Sequence, residues 1–320
     1  MLKKVTPPLS IYCLQFYDLS DLPVNSEELT EQNILKIINV LRNPDILDCS
    51  GSFKTLYNYL SPISFNSELN LYSTDFVGRK WVLKEINQWI NTEEKTLIIT
   101  GMPGIGKSAI STFLYQRMPN VIGFYMFRRN DGEKLSIERF ISTLAFQISS
   151  QIPSYREHIL HFDIKWIIQN LNRTALFTRL LAEPLSLIHT ENDVKIIVID
   201  GLDEAETNEH NAIAQFISQS FILLPSWIKI LVLTRPNPPT ILPFSEVSKL
   251  VLNPQSKNNI ADLKTYINKV RPEIDEKTLN DFITRSEGSF LYVKHICKNN
   301  ILGNTKNLPL GMVSFYFNSF

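Results

Sequence analysis

The segment from Thr96 to Met118, TLIITGMPGIGKSAISTFLYQRM, passes from an apolar run (Leu97, Ile98, Ile99) through a glycine loop into an amphipathic stretch. A strand, a loop and a helix in that succession constrain the fold more than any other part of the chain. The loop, Gly101-Met102-Pro103-Gly104-Ile105-Gly106-Lys107-Ser108, fits the pattern G-x-x-x-x-G-K-[ST], and each fixed position has a mechanical role. Its glycines give the backbone conformations closed to residues with a Cβ, so successive N–H groups can converge on one anion. The helix behind it adds unpaired N-terminal N–H groups and the positive end of its dipole. Lys107 would reach the β- and γ-phosphates of a nucleotide, and the Ser108 hydroxyl would hold Mg2+. Only 11 of the 320 residues are glycine, so three in one octad read poorly as a chance turn. The segment predicts a nucleoside triphosphate site.

Composition bounds the setting. A chain of 320 residues has room for two domains and a large core. Lys plus Arg and Asp plus Glu number 32 each, a balance that offers no broad basic field to a nucleic acid, so no nucleic-acid partner is expected. Cys13, Cys49 and Cys297 are too scattered for a disulfide framework or a Cys-x-x-Cys metal site, so a cytoplasmic protein is expected. The start, MLKKVTPPLS, is broken by Pro7 and Pro8 before the apolar part of a signal peptide can form. The most apolar window, Phe221 to Leu233, carries Pro225 and Lys229 and is too short for a bilayer, so no membrane segment is expected.

Residues 1–73 carry five basic and eight acidic side chains and no catalytic pattern. A helix is predicted there from Ser26, a suitable N-cap, to Leu41, on the stripe Leu29, Ile34, Ile38 and Leu41. Residues 74–91 read as a turn at Gly78 and a helix with Val82, Leu83, Ile86, Trp89 and Ile90 at helical spacing. After the loop's own helix come a strand at 121–127, a solvated loop holding Arg128 and Arg129, and a helix at 136–149. Helical stretches near 154–170 and 174–189 precede a buried strand at 194–200, VKIIVID. A helix at 211–220, a second buried strand at 228–234 (IKILVLT) and a shorter one at 247–252 follow. Such alternation predicts a parallel sheet with helices on both faces. From about Asn253 only helices are predicted, at 258–271, 276–286 and 289–298, which marks a domain boundary.

Gripping phosphate is binding; hydrolysis needs acids on a second strand. Asp200 ends the strand at 194–200, at the carboxyl edge where ligands bind in open α/β sheets, and can hold Mg2+. Asp203 and Glu204 stand three and four residues on. A carboxylate there can orient or deprotonate an attacking water. Glu204 is the preferred base, with Asp203 supporting metal and water. Arg235, in Thr234-Arg235-Pro236, would face the γ-phosphate if its strand lies between the loop strand and the Asp200 strand. His158, His161 and Asp163 read as an exposed helix face rather than metal ligands, and Asn268-Lys269-Val270-Arg271 lacks the acid of a guanine-reading motif.

These residues resemble the NACHT group of the STAND class of P-loop NTPases, signal-transducing ATPases that include innate-immune receptors. The likeness rests on the glycine loop and on Ile196-Ile197-Val198-Ile199-Asp200-Gly201-Leu202-Asp203-Glu204-Ala205, where a small residue and two acids follow the Mg2+ aspartate. Phe177, Leu180, Leu181, Glu183, Pro184 and Leu185 are similar to the segment before that strand. Thr234-Arg235-Pro236 is similar to the family's sensor turn, with Leu233-Thr234 where Thr-Ser is usual. Phe76-Val77-Gly78-Arg79 resembles the motif whose backbone lies near the adenine. Gly288-Ser289-Phe290-Leu291-Tyr292 resembles a lid helix, and Leu308-Pro309-Leu310-Gly311 the start of a winged-helix domain.

The resemblance implies a P-loop NTPase αβα sandwich over 74–252, with a parallel sheet in the order 5-1-4-3-2. A helical lid at 253–303 and a truncated winged-helix start at 304–320 would follow, behind an N-terminal region at 1–73. It also implies ATP or ADP with Mg2+, slow hydrolysis as a Mg-dependent ATPase, and a switch between ADP-locked and ATP-bound states. Self-association and protein signalling partners are part of the same expectation. The family's winged-helix histidine and its ligand-sensing repeats have no counterpart here, and no internal period of 20–50 residues occurs. A fragment, or reliance on partners for sensing, would account for that. The alternative reading is a nucleotide-stabilised scaffold without significant hydrolysis.

Overall fold

A strand apolar at every position must be covered on both faces, because alternate side chains point to opposite sides of the sheet. The computed structural model describes residues 52–73, 76–188, 193–207, 210–298, 308, 310 and 311. The helix predicted at 26–41 lies outside them. Five strands form one sheet: β1 (Thr96–Gly101), β2 (Val121–Met126), β3 (Lys195–Asp200), β4 (Ile228–Thr234) and β5 (Ser248–Leu252). Every residue of β2 and β4 is buried. The spatial order is β2-β3-β4-β1-β5, which from the other edge reads 5-1-4-3-2, and all four pairings are parallel.

Three helices precede β1, α1 (Ser52–Leu60), α2 (Asn66–Ser73) and α3 (Lys80–Ile90), and helices then alternate with the strands, beginning with α4 (Lys107–Arg117) and α5 (Ile137–Gln151). They are followed by α6 (Ala212–Ser220), α7 (Lys257–Val270), α8 (Glu276–Ser286) and α9 (Phe290–Lys298). Helix starts follow local chemistry. The Ser136 hydroxyl accepts from the Arg139 N–H at α5, Asn211 from Ala214 at α6, Ser256 from Asn259 at α7, and Asp275 from Thr278 at α8. Short helices cover 153–160, 164–170 and 173–186, and in the last of these Thr178–Ala182 is wound as a π turn. Asp163 caps the second of them by accepting from the Trp166 N–H.

One apolar core runs under the sheet's helices. A second, smaller core is built by Leu263, Ile267, Phe282, Tyr292, Val293 and neighbours on α7, α8 and α9. Among the described residues no helix is long and apolar enough to cross a membrane.

Candidate functional site

Register decides which side chains can meet. Thr100 of β1 lies opposite Thr234 of β4, and Asp200 of β3 opposite Leu233. The three strands therefore end at one level, with β4 between β1 and β3. The glycine loop, the segment after Asp200 and Arg235 all leave the sheet there. A cavity of about 700 Å³ opens at this edge, lined among others by Gly104, Lys107, Ser108, Asp200, Glu204 and Arg235.

The loop residues have separate tasks. Gly104 (φ 78°) and Gly106 (φ 102°) hold the left-handed backbone that a Cβ disfavours. Ile105 between them is buried and Met102 is exposed. Gly106 immediately precedes α4, with Lys107 and Ser108 as its first residues. Lys107 Nζ donates to the carbonyls of Gly101 (2.6 Å) and Met102 (3.2 Å). Burial pulls its pKa below the ordinary lysine value, against the attraction of Asp200 and Asp203.

Asp200 is fully buried and its Oδ2 accepts from the Ser111 hydroxyl at 3.0 Å. Burial raises its pKa, while Ser108, Ser111, Lys107 and Arg128 pull the other way. The two acids beyond it are held differently. Asp203, 5% exposed, accepts from the Arg235 N–H (3.0 Å) and the Thr234 hydroxyl (3.2 Å), and pairs with Arg235 Nε at 3.0 Å. Glu204 faces the cavity, paired with Arg128 Nη1 at 2.9 Å and accepting from the Arg129 N–H at 3.1 Å.

Phe76, Val77, Gly78 and Arg79 run between the glycine loop and the C-terminal helices. Phe76 stacks on Phe113 of α4, centroids 4.2 Å apart, and Val77 packs on the second core. Arg79 is buried in a left-handed conformation at the start of α3. Its Nη2 donates to the Ile105 carbonyl, and its guanidinium lies 4.5 Å from the Phe290 ring of α9. Its N–H donates to Asp262 Oδ2 at 3.0 Å, as does Trp81 Nε1. Burial lowers its pKa to about 10 despite Asp262. Nη1, buried as well, has no hydrogen-bond acceptor among the described residues.

Two contributors escape a reading of the sequence. Arg128, expected in a solvated loop, lines the cavity and holds Glu204. Tyr72 lines it too, from a helix outside the alternating strands and helices. Neither has a local motif; the strand end just before Arg128 was the available signal. From α9, the Leu291 N–H donates to the Gly104 carbonyl at 3.0 Å, so the C-terminal helices close directly on the glycine loop.

Residues 79–235, just under half of the chain, match the sequence family described as Nephrocystin 3, N-terminal. The matched stretch contains the glycine loop, Asp200, Asp203, Glu204 and Arg235. The chain is also similar to the transcription activator GutR of Bacillus subtilis (strain 168), at 22% identity over 186 residues. That match covers 55% of this chain and 19% of the activator, so the chain spans about a fifth of that protein's length.

Proposed function

We propose that this chain is an ATP-binding regulatory switch of the NACHT type, which hydrolyses slowly and self-associates in its ATP-bound state. One observation carries the reading: a glycine loop, a helix beginning at Lys107 and a buried Asp200 converge at the carboxyl edge of one parallel sheet, from strands on either side of β4. The residues fit the expected ligands. Among the described residues the half-buried Lys107 ammonium donates to backbone carbonyls alone, while Arg79 Nη1 is paired with Asp262 at 3.8 Å. The Lys107 ammonium suits an anion entering the cavity.

Ser108 and Asp200 are hard oxygen donors and would hold Mg2+. Among the described residues no three His, Cys, Asp or Glu side chains cluster as a metal site. Magnesium commonly takes one or two carboxylates and completes its shell with water and phosphate. When bound, Mg2+ offsets charge developing on the phosphates. Glu204 orients the attacking water, Arg235 faces the terminal phosphate, and Phe76 to Arg79 border the base. The two similarities support a regulator, and the neutral net charge supports protein rather than nucleic-acid partners.

A second reading has an observation of its own: the carboxylates of Asp203 and Glu204 already have protein donors. That suits a nucleotide-stabilised scaffold without turnover. Phosphate release separates the two. The switch predicts turnover above that of an Asp203→Ala, Glu204→Gln double variant and a mass shift from monomer to oligomer with ATP. Equal rates would leave the scaffold.

A further inference from the structure

Helix α2 precedes the P-loop segment by more than twenty residues, yet two of its residues, Leu71 and Tyr72, line the cavity. Phe65, Leu69 and Tyr72 recur at i, i+4 and i+7, a single helical stripe. Phe65 meets Phe124 and Tyr125 of β2 edge-on, with centroids 5.4 and 5.2 Å away. Leu69 is buried, and Glu68 pairs with Lys134 beyond β2. These contacts seat α2, and Tyr72 is the member of the stripe left at the cavity wall.

The Tyr72 hydroxyl lies 3.1 Å from Arg128 Nη2, and the guanidinium stands 6.0 Å from the Tyr72 ring. At its other side Arg128 Nη1 reaches Glu204 Oε1 at 2.9 Å. The side chains of Arg128 and Glu204 are about a quarter exposed, a setting in which an ion pair alone fixes little. A planar guanidinium gripped on both sides is fixed far better. Burial works against its charge, yet Tyr72, Glu204 and Asp200 hold its pKa above the ordinary arginine value. A carboxylate has room for about four hydrogen bonds. Glu204 spends one on Arg128 and one on the Arg129 N–H, which leaves lone pairs for a water.

We propose that Tyr72 and Arg128 are positioning residues for Glu204, through which helix α2 sets how well that carboxylate is aimed. The inference rests on the reading of Glu204 as the water-orienting base. Neither residue needs to touch the reacting atoms; both act through the carboxylate. Anything that lifts α2 from β2 then slows hydrolysis while leaving the grip on nucleotide intact.

The test is kcat, KM and ADP affinity for Tyr72→Phe, Arg128→Ala and Arg128→Lys, alone and with Glu204→Gln. Phenylalanine keeps the ring packing, so Tyr72→Phe retains the fold, and a thermal midpoint verifies it. Tyr72→Phe lowers kcat roughly 5-fold and Arg128→Ala roughly 50-fold, with KM and ADP affinity within about twofold. Arg128→Lys does not restore the rate, because an ammonium lacks the fork that bridges Tyr72 and Glu204. In the Glu204→Gln background neither change lowers the residual rate further. A wild-type rate for Tyr72→Phe, an equal loss in both backgrounds, or affinity falling in step with kcat overturns the proposal alone. Normal turnover by Glu204→Gln, or no nucleotide binding by the wild type, overturns it together with the reading beneath it.

Discussion

Arg235 holds Asp203 from two directions: its Nε lies 3.0 Å from Oδ2, and its backbone N–H donates to Oδ1 at 3.0 Å. The Thr234 hydroxyl adds a third donor. The end of β4 is thereby fastened to the segment after β3, and the arginine is brought to the cavity with 46% of its side chain still exposed.

Arg235→Ala removes the side-chain contact and leaves the two other donors to Asp203. The expected loss of stability is about 1–2 kcal/mol, read from a denaturant midpoint. If Arg235 also meets the terminal phosphate, turnover falls on the order of 100-fold, more than that stability change explains. A rate loss no larger than that of a distant variant of equal stability would confine Arg235 to a structural role.

Glu204→Gln keeps the size and one acceptor of the side chain but removes its charge. Nucleotide affinity stays within about threefold of wild type while phosphate release falls at least about 100-fold, a loss confined to the transition state. Parallel single-turnover and binding measurements give both numbers. Unchanged phosphate release would move the base elsewhere.

Gly104 combines a left-handed backbone, φ 78°, with close cover from α9. A Cβ there would stand 2.6 Å from Ser289 Oγ and 3.3 Å from Leu291 Cβ. Gly104→Ala is expected to cost roughly 1–3 kcal/mol and to loosen α9 from the loop. Hydrogen exchange at the Leu291 amide, which donates to Gly104, should rise by at least about tenfold. Unaltered protection would mean that the loop and α9 are not coupled.

Glu68 gives a pH signature. Burial pushes its carboxyl up, but hydrogen bonds from Lys134, Ser67 and its own backbone outweigh that and hold the pKa below the ordinary 4.5. Between the two values the unfolded chain binds the more protons, so stability rises with pH. The contribution is whole above about pH 4.5 and is lost as pH falls through the folded value. Wild type should be more stable than Glu68→Gln at pH 7, and the gap should close in acid. A gap independent of pH would contradict the pairing with Lys134.

Much of the fold was legible because its signals are local. Leu97-Ile98-Ile99, Ile196 to Ile199 and Ile230 to Leu233 are apolar at every position, and each lies within a buried strand. The glycine loop was legible for the same reason: its geometry depends on glycines adjacent in sequence. What stayed hidden depends on residues distant in sequence. Arg128 gains its place from Glu204, 76 residues on, and from Tyr72, 56 residues before it. Arg79 is buried because α7 brings Asp262 to it and α9 brings Phe290. No spacing rule reports such meetings, and an arginine after a strand reads as solvated until its partners are placed.

The most direct test of a nucleotide-binding switch is an equilibrium titration of ATP and ADP, with Mg2+, into the wild-type chain and into Lys107→Ala. Among the described residues the hydrogen bonds of the Lys107 ammonium run to the carbonyls of Gly101 and Met102 and to no side chain. Its removal should leave the fold intact and weaken nucleotide binding by at least about 100-fold. Saturable binding by the wild type, lost in the variant, is the expected result. Equal affinities, or no binding by a folded wild type, would contradict the account.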